Sequence, residues 1–331
     1  MFVIGTMLAF AGCASAALVG GERLERVSVA GHDYIRVRDW VRANQLESVW
    51  LQPGKRLRVS CGLGSVVLTG DSRTVVINGI NVWLSYPAVM REDKMLVALL
   101  DLKTGIVPLL FPSRNAGTVR VVALDPGHGG KDTGYLRRTQ FEKNYTLLLA
   151  QEVRNQLVLA GLKATLTRST DAYVELSERS DVAKQRKADL FVSLHFNSAG
   201  EGGHEAKGVE VYCATPVGAN STNTRGNAGN HGPVVGNLWN DRSVLLAWHL
   251  QKALVTKLGL EDRGVRRARF QVLCEAAMPA VLIEGGFLSH LSESKRIFDA
   301  AFRRQMAKAI VDGIVAYKRG VESERDTRPK R

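Results

Sequence analysis

Four polar residues stand out by type and context: His128, Glu142, His195 and Glu284. His128 sits in Leu124-Asp125-Pro126-Gly127-His128-Gly129-Gly130. His195 follows Leu190-Phe191-Val192-Ser193-Leu194, and Glu284 follows Ala280-Val281-Leu282-Ile283 and precedes Gly285-Gly286-Phe287. Short, nearly uniform apolar runs bounded by glycine and polar residues read as buried strands. Each run therefore delivers its polar residue to the carboxyl end of a strand, the edge at which open α/β sheets bind ligands. Glu142 opens a helical stretch. At about 100° per residue, Glu142, Tyr145, Leu149, Val153 and Leu157 share one stripe. A carboxylate is thus placed on the sheet-facing side of a first turn, where a cation would partner it. The helix dipole by itself also favours an acid there.

Two imidazoles and a carboxylate from scattered segments suit a catalytic zinc ion, which takes three protein ligands and keeps a fourth position for water. Successive members of the set lie 14, 53 and 89 residues apart, which excludes a His-Glu-x-x-His helix and any zinc-finger spacing. One carboxylate, Glu284, is then left for proton transfer. Zinc lowers the pKa of its water toward about 7, and a glutamate can accept that proton and pass it to a leaving amine. Such a set is sufficient to hydrolyse an amide.

The elements that must position these groups alternate in type. Residues 119–124, 163–167, 190–194, 209–213, 270–273 and 280–283 read as strands, and 142–160, 176–187, 243–258 and 293–317 as helices. Apolar strands separated by helices predict an α/β unit over 119–318, with a mixed, mostly parallel sheet covered on both faces. Residues 24–112 read as a small α+β unit: a hairpin within 27–37, a helix at 37–45, strands at 57–59, 66–68, 74–77 and 80–84, and a short helix at 96–103. Asn78-Gly79 is its strongest turn signal. This unit holds no close-spaced cluster of His, Asp or Glu. Residues 113–118 read as a linker and 319–331 as a charged tail.

Composition limits the partners. The chain has 331 residues, 45% hydrophobic and 23% charged, which fits roughly two globular domains and excludes a disordered, collagenous or coiled-coil chain. The net charge of +13 favours an anionic partner: nucleic acid, a membrane surface or a wall polymer. Residues 1–21 carry no charge and are apolar and small, as in a secretory signal. Ala14-Ser15-Ala16 fits a cleavage site. Phe10-Ala11-Gly12-Cys13 fits a lipoprotein box, with Cys13 as the lipid anchor. Export to the periplasm or cell envelope disfavours nucleic acid, and no basic base-reading helix or stacking platform is visible. No second stretch approaches the roughly 20 apolar residues of a membrane span, so no integral membrane domain is expected. Cys213 and Cys274 read as small core residues, and no Cys-x-x-Cys pair suggests a structural zinc site.

The motifs around the four residues, together with Arg179 to Asp189, Asp262-Arg263-Gly264-Val265 and Met278-Pro279-Ala280, resemble the zinc-dependent N-acetylmuramoyl-L-alanine amidases of the amidase-3 type. The resemblance covers residues 119–318. It implies a three-layer α/β/α domain around a mostly parallel, six-stranded sheet. It also implies Zn2+ bound by His128, Glu142 and His195, and Glu284 as the catalytic glutamate. The implied reaction cuts the amide between N-acetylmuramic acid and L-alanine in peptidoglycan. Residues 24–112 loosely resemble the small N-terminal domain of copper amine oxidases, without implying copper. Rival readings are another wall zinc amidohydrolase (a carboxypeptidase or a deacetylase) and a catalytically silent wall-binding protein. The family commonly carries Asn where His290 stands. Some members carry a helical insert that blocks the site until a regulatory partner removes it. The corresponding segment here, from Ala214 to Asp241, is rich in Gly and Asn, a composition that disfavours a stable helix. Two readings stay open for each of two further residues. Asp125 either orients His128 or caps its turn, and Arg263 either binds a stem-peptide carboxylate or pairs within the fold. His204 and His231 read as solvated loop residues.

Overall fold

The computed structural model describes residues 24–113, 117–200, 205–223 and 232–322. Cys13, His204 and His231 lie outside these residues, as does the whole signal segment. The chain begins with β1 (Arg26–Val29) and β2 (His32–Arg36), a hairpin leading into α1 (Val37–Ala43). An antiparallel meander follows: β3 (Glu47–Gln52), β4 (Arg56–Cys61), β5 (Gly64–Thr69), β6 (Ser72–Ile77) and the long β7 (Ile80–Arg91). Alternation drives it: Leu57, Val59, Val66, Leu68, Val75 and Ile77 are buried, with polar or half-exposed neighbours between them. Asn78 and Gly79 both take positive φ, the backbone that a two-residue hairpin with right-handed twist requires. The helix predicted at 96–103 starts later. Residues Lys94–Ala98 form β8, which pairs with β2 and β7, and helical turns run from Leu99 to Leu110. The apolar run Met95-Leu96-Val97-Ala98 fits a buried strand as well as a helix, and cross-strand pairing decides.

The second unit contains β9 (Val121–Pro126), the short hairpin β10 (Leu136–Arg137) and β11 (Gln140–Phe141), α2 (Glu142–Leu159), β12 (Lys163–Leu166) and α3 (Leu176–Gln185). It continues with β13 (Leu190–Asn197), β14 (Val209–Ala214), α4 (Asn240–Leu258), β15 (Asp262–Ala268), α5 (Gln271–Cys274), β16 (Ala280–Phe287), α6 (Leu291–Phe298) and α7 (Ala300–Val321). Its six long strands lie in the order β12-β9-β13-β16-β14-β15. All neighbours are parallel except β14 and β16. The period of two sorts side chains between two cores. Val122, Leu124, Val192, Leu194, Val281 and Ile283 face the core shared with α2, α4 and α7. Phe191, Tyr212, Ala214, Ala280 and Leu282 face a smaller core with Val272 and Leu273 of α5. The sheet is thus the middle of three layers. Each fully buried aliphatic contributes about 1.5–3 kcal/mol.

In this unit two predicted elements differ and one strand was not predicted. The run 270–273 is not a strand: Phe270 is extended, and its carbonyl accepts from Leu273 and Cys274 to start α5. A short apolar run cannot by itself separate strand from helix. The final helix breaks at Asp299, whose carboxylate caps Ala301 and Phe302. Strand β15 was visible only as a motif, because its arginines hide the alternation. The sheet does not stop at β15: β7 pairs with it in parallel through Val82 and Val265, so one sheet runs through both units.

Candidate metal centre

His128 stands at the turn that leaves β9, with φ at +62°. Such a conformation is strained for a side-chain-bearing residue and persists only when surroundings impose it. Two buried arginines do so. Arg168 donates to the carbonyls of Pro126 (2.9 Å), Gly127 (2.8 Å) and Lys143 (2.8 Å). Arg179 donates to the carbonyls of Pro126 (3.1 Å) and His128 (2.9 Å). The Arg179 charge is balanced by buried Asp125 at 2.9 Å, which also accepts from Thr167 and Ser193. Asp125 therefore acts on the turn through Arg179 and has no bond to the His128 ring. The ring is instead held by Asp132, whose Oδ2 lies 2.9 Å from His128 Nδ1. That contact favours the tautomer with the proton on Nδ1 and turns Nε2 toward Glu142, where it could bind a metal.

Glu142 is the first residue of α2, and its side chain is buried. Its Oε1 lies 3.1 Å from His128 Nε2 and 3.2 Å from His195 Nδ1, and accepts from the Phe196 amide at 3.1 Å; its Oε2 accepts from the Tyr135 amide at 3.0 Å. Burial pushes the Glu142 pKa up, but the two imidazoles overrule it and hold the carboxyl well below the usual range. For His128 the balance runs the other way: burial lowers its pKa, and hydrogen bonds to Glu142 and Asp132 raise it above 6.5.

His195 and Glu284 sit directly opposite each other on β13 and β16. By the strand period both leave the sheet on the face of Phe191 and Leu282. Neither stands beyond a strand's end, because both strands run two or three residues further. Glu284 Oε2 is buried with no hydrogen-bond partner. Burial, then the charges of Glu142 and Glu210, raise its pKa well above 4.5. Arg263 pairs with Glu210 within the fold.

One ligand atom each from His128, Glu142 and His195 falls within 4.8 Å of the others, so the three can hold one ion. The donor set fits zinc: two imidazoles and a carboxylate with room for a further ligand. The backbone is shaped to the same end. A Cβ on Gly127 would lie 2.2 Å from the His195 ring, and one on Gly134 would lie 2.6 Å from the His128 ring. A cavity of about 320 Å³ opens beside the cluster, lined among others by Asp132, Leu176, Phe270 and Glu284. Asp132, Arg168 and the glycine contacts went unread in the sequence. Asp132 had a signal, an acid four residues after a candidate ligand in a glycine turn. Arg168 had none, because its role depends on which carbonyls the fold turns toward it.

Residues 122–316 match the amidase-3 family, described as N-acetylmuramoyl-L-alanine amidase. The chain belongs to this family. It is 32% identical over 244 residues to N-acetylmuramoyl-L-alanine amidase AmiA of Escherichia coli, a match spanning 66% of this chain and 83% of that one. With LytC, an amidase of Bacillus subtilis, it shares 32% identity over 206 residues, 62% of this chain but 37% of LytC. Among solved structures, the catalytic domain of CwlV, an amidase from Bacillus (Paenibacillus) polymyxa, has 35% identity and a TM-score of 0.50, covering 60% of this chain and 98% of the other. An amidase of Clostridium difficile 630 has 31% identity and a TM-score of 0.51, covering 61% and 97%.

Proposed function

We propose that this chain is a zinc-dependent peptidoglycan amidase that cuts the bond between N-acetylmuramic acid and L-alanine. In this reading His128, Glu142 and His195 hold the ion, and Glu284 carries the proton. The observation that supports it most is the convergence of three ligand atoms within 4.8 Å beside a buried, unpartnered carboxyl oxygen. When bound, zinc supplies a Lewis acid that polarises a carbonyl and acidifies water. The chain's own residues do the rest. Asp132 keeps the His128 ring in the ligating tautomer. Glu284 Oε2 takes the proton of the attacking water and returns it to the departing alanine nitrogen. Its raised pKa brings taking and releasing a proton closer in energy near neutral pH.

The family match and the amidase relatives support the substrate class. The net charge of +13 suits an anionic wall, and the apolar, uncharged first 21 residues support export to the envelope. Residues 24–112 serve as an accessory unit in this reading. The Gly- and Asn-rich composition of the segment from Ala214 to Asp241 supports a site open without a partner. The test is digestion of purified walls by the full chain, with and without zinc, and by Glu284→Ala. Free L-alanine amino termini from the wild type, and retained zinc with turnover about 100-fold or more lower in Glu284→Ala, are expected. Acetate release without new amino termini would point to a deacetylase and refute the reading.

A further inference from the structure

Behind Glu284 lies a second acid that the reaction does not use. Glu210 on β14 stands directly opposite Glu284 on β16, and the strand period puts both on the same face. Like charges so opposed destabilise a strand pair. Their surroundings differ sharply. Glu210 is buried against Arg263, against Arg266 Nε at 3.2 Å, and under the Tyr212 hydroxyl, which donates to it. Glu284 has no ion pair among the described residues, and its Oε2 has no partner.

The two arginines that hold Glu210 are themselves seated by the N-terminal unit. The Arg266 guanidinium lies over the Trp83 ring, 4.3 Å from its centre. Trp83 Nε1 donates to the Arg263 carbonyl at 2.9 Å. Asn81 anchors the start of the same strand, donating from its amide to Asp262 Oδ2 at 2.8 Å and from its side chain to the Asp262 carbonyl at 3.0 Å. Trp83 thus seats the Arg266 guanidinium and holds the Arg263 backbone where β7 meets β15, while the Arg263 guanidinium rests over the Phe287 ring. Without them, Glu210 would be a buried carboxylate with the Tyr212 hydroxyl as its remaining partner, directly opposite Glu284.

We propose that Trp83, Arg266 and Glu210 are positioning residues for Glu284, through which the N-terminal unit keeps a competing carboxylate out of the reaction site. This inference rests on Glu284 being the proton carrier. The test uses the full chain on a soluble muropeptide, measuring kcat, KM and zinc content. Arg266→Met should lower kcat about tenfold or more with KM and zinc unchanged. Adding Glu210→Gln to Arg266→Met should restore most of that loss, because the charge to be restrained is gone. A merely structural role predicts no such rescue. Trp83→Ala should follow Arg266→Met, and Trp83→Phe, which keeps a ring under the guanidinium, should retain at least about threefold more kcat than Trp83→Ala. If Arg266→Met does not fold, the two Trp83 variants decide. Wild-type kcat in Arg266→Met, a double variant no better than the single one, or equal loss in both Trp83 variants would overturn the inference. Glu284→Gln separates the two levels. Full turnover in it removes the proton-carrier reading itself, whereas an inactive Glu284→Gln beside unaffected Arg266→Met and Trp83→Ala removes only the positioning role.

Discussion

Replacing Gly127 by alanine puts one methyl group where the His195 ring now lies. The added carbon would fall 2.2 Å from Cε1, 2.4 Å from Nε2 and 2.7 Å from Nδ1 of that ring. Carbon atoms settle at about 3.5 Å, so about 1.3 Å of separation must be found. The backbone of Gly127 is poorly placed to give it. Its amide donates to the Leu194 carbonyl at 3.0 Å, and its carbonyl accepts from Thr146 Oγ1 and Arg168 Nη2, each at 2.8 Å. The imidazole must therefore move by about an ångström, several times the roughly 0.2 Å tolerance of a metal–ligand distance. Loss of a well-placed ligand orientation costs about 10- to 100-fold in metal affinity, or about 1.4–2.7 kcal/mol. Gly127 does not use a left-handed backbone, so alanine brings no conformational strain of its own. Competition of the purified variant against a zinc chelator measures the affinity, and kcat/KM at saturating zinc measures the reaction. Folded Gly127→Ala protein with wild-type zinc affinity would refute the assignment of His195 as a ligand held against this turn.

Asp132→Ala should weaken zinc binding about 10- to 100-fold by releasing the His128 tautomer, read in the same chelator assay. Zinc affinity of the wild type should fall with decreasing pH, beginning above pH 6.5. The His128 pKa is raised, and the metal needs the unprotonated ring; Asp132→Ala should move that onset lower. Buried Asp101 accepts from the amides of Ser85 and Tyr86, yet burial lifts its pKa from 3.8 to about 6. A raised carboxyl pKa means stability present below pH 4 and lost as pH rises toward 6. The gap is worth on the order of 3 kcal/mol and is measurable by denaturant melts across that window. Arg179→Met should cost about 3–5 kcal/mol in the same melts, because it leaves Asp125 buried and unpaired.

The sequence by itself set the alternation of strand and helix, the two-sided apolar cover of the central sheet and the four residues of the candidate centre. These are legible because period and apolar runs are local, and because strand ends in an open α/β sheet converge on one edge. The tertiary structure decided what locality cannot carry. Asp132 rather than Asp125 reaches His128, because Asp125 is held within β9 against Arg179, whereas the glycine turn closed by the Gly129–Asp132 bridge brings Asp132 back to the ring. Gln271 to Cys274 turned helical behind an extended Phe270, because capping and packing settle what a short apolar run leaves open. The join of β7 to β15, with Trp83 laid beneath Arg266, depends on pairing between residues some 180 positions apart, which no local pattern records.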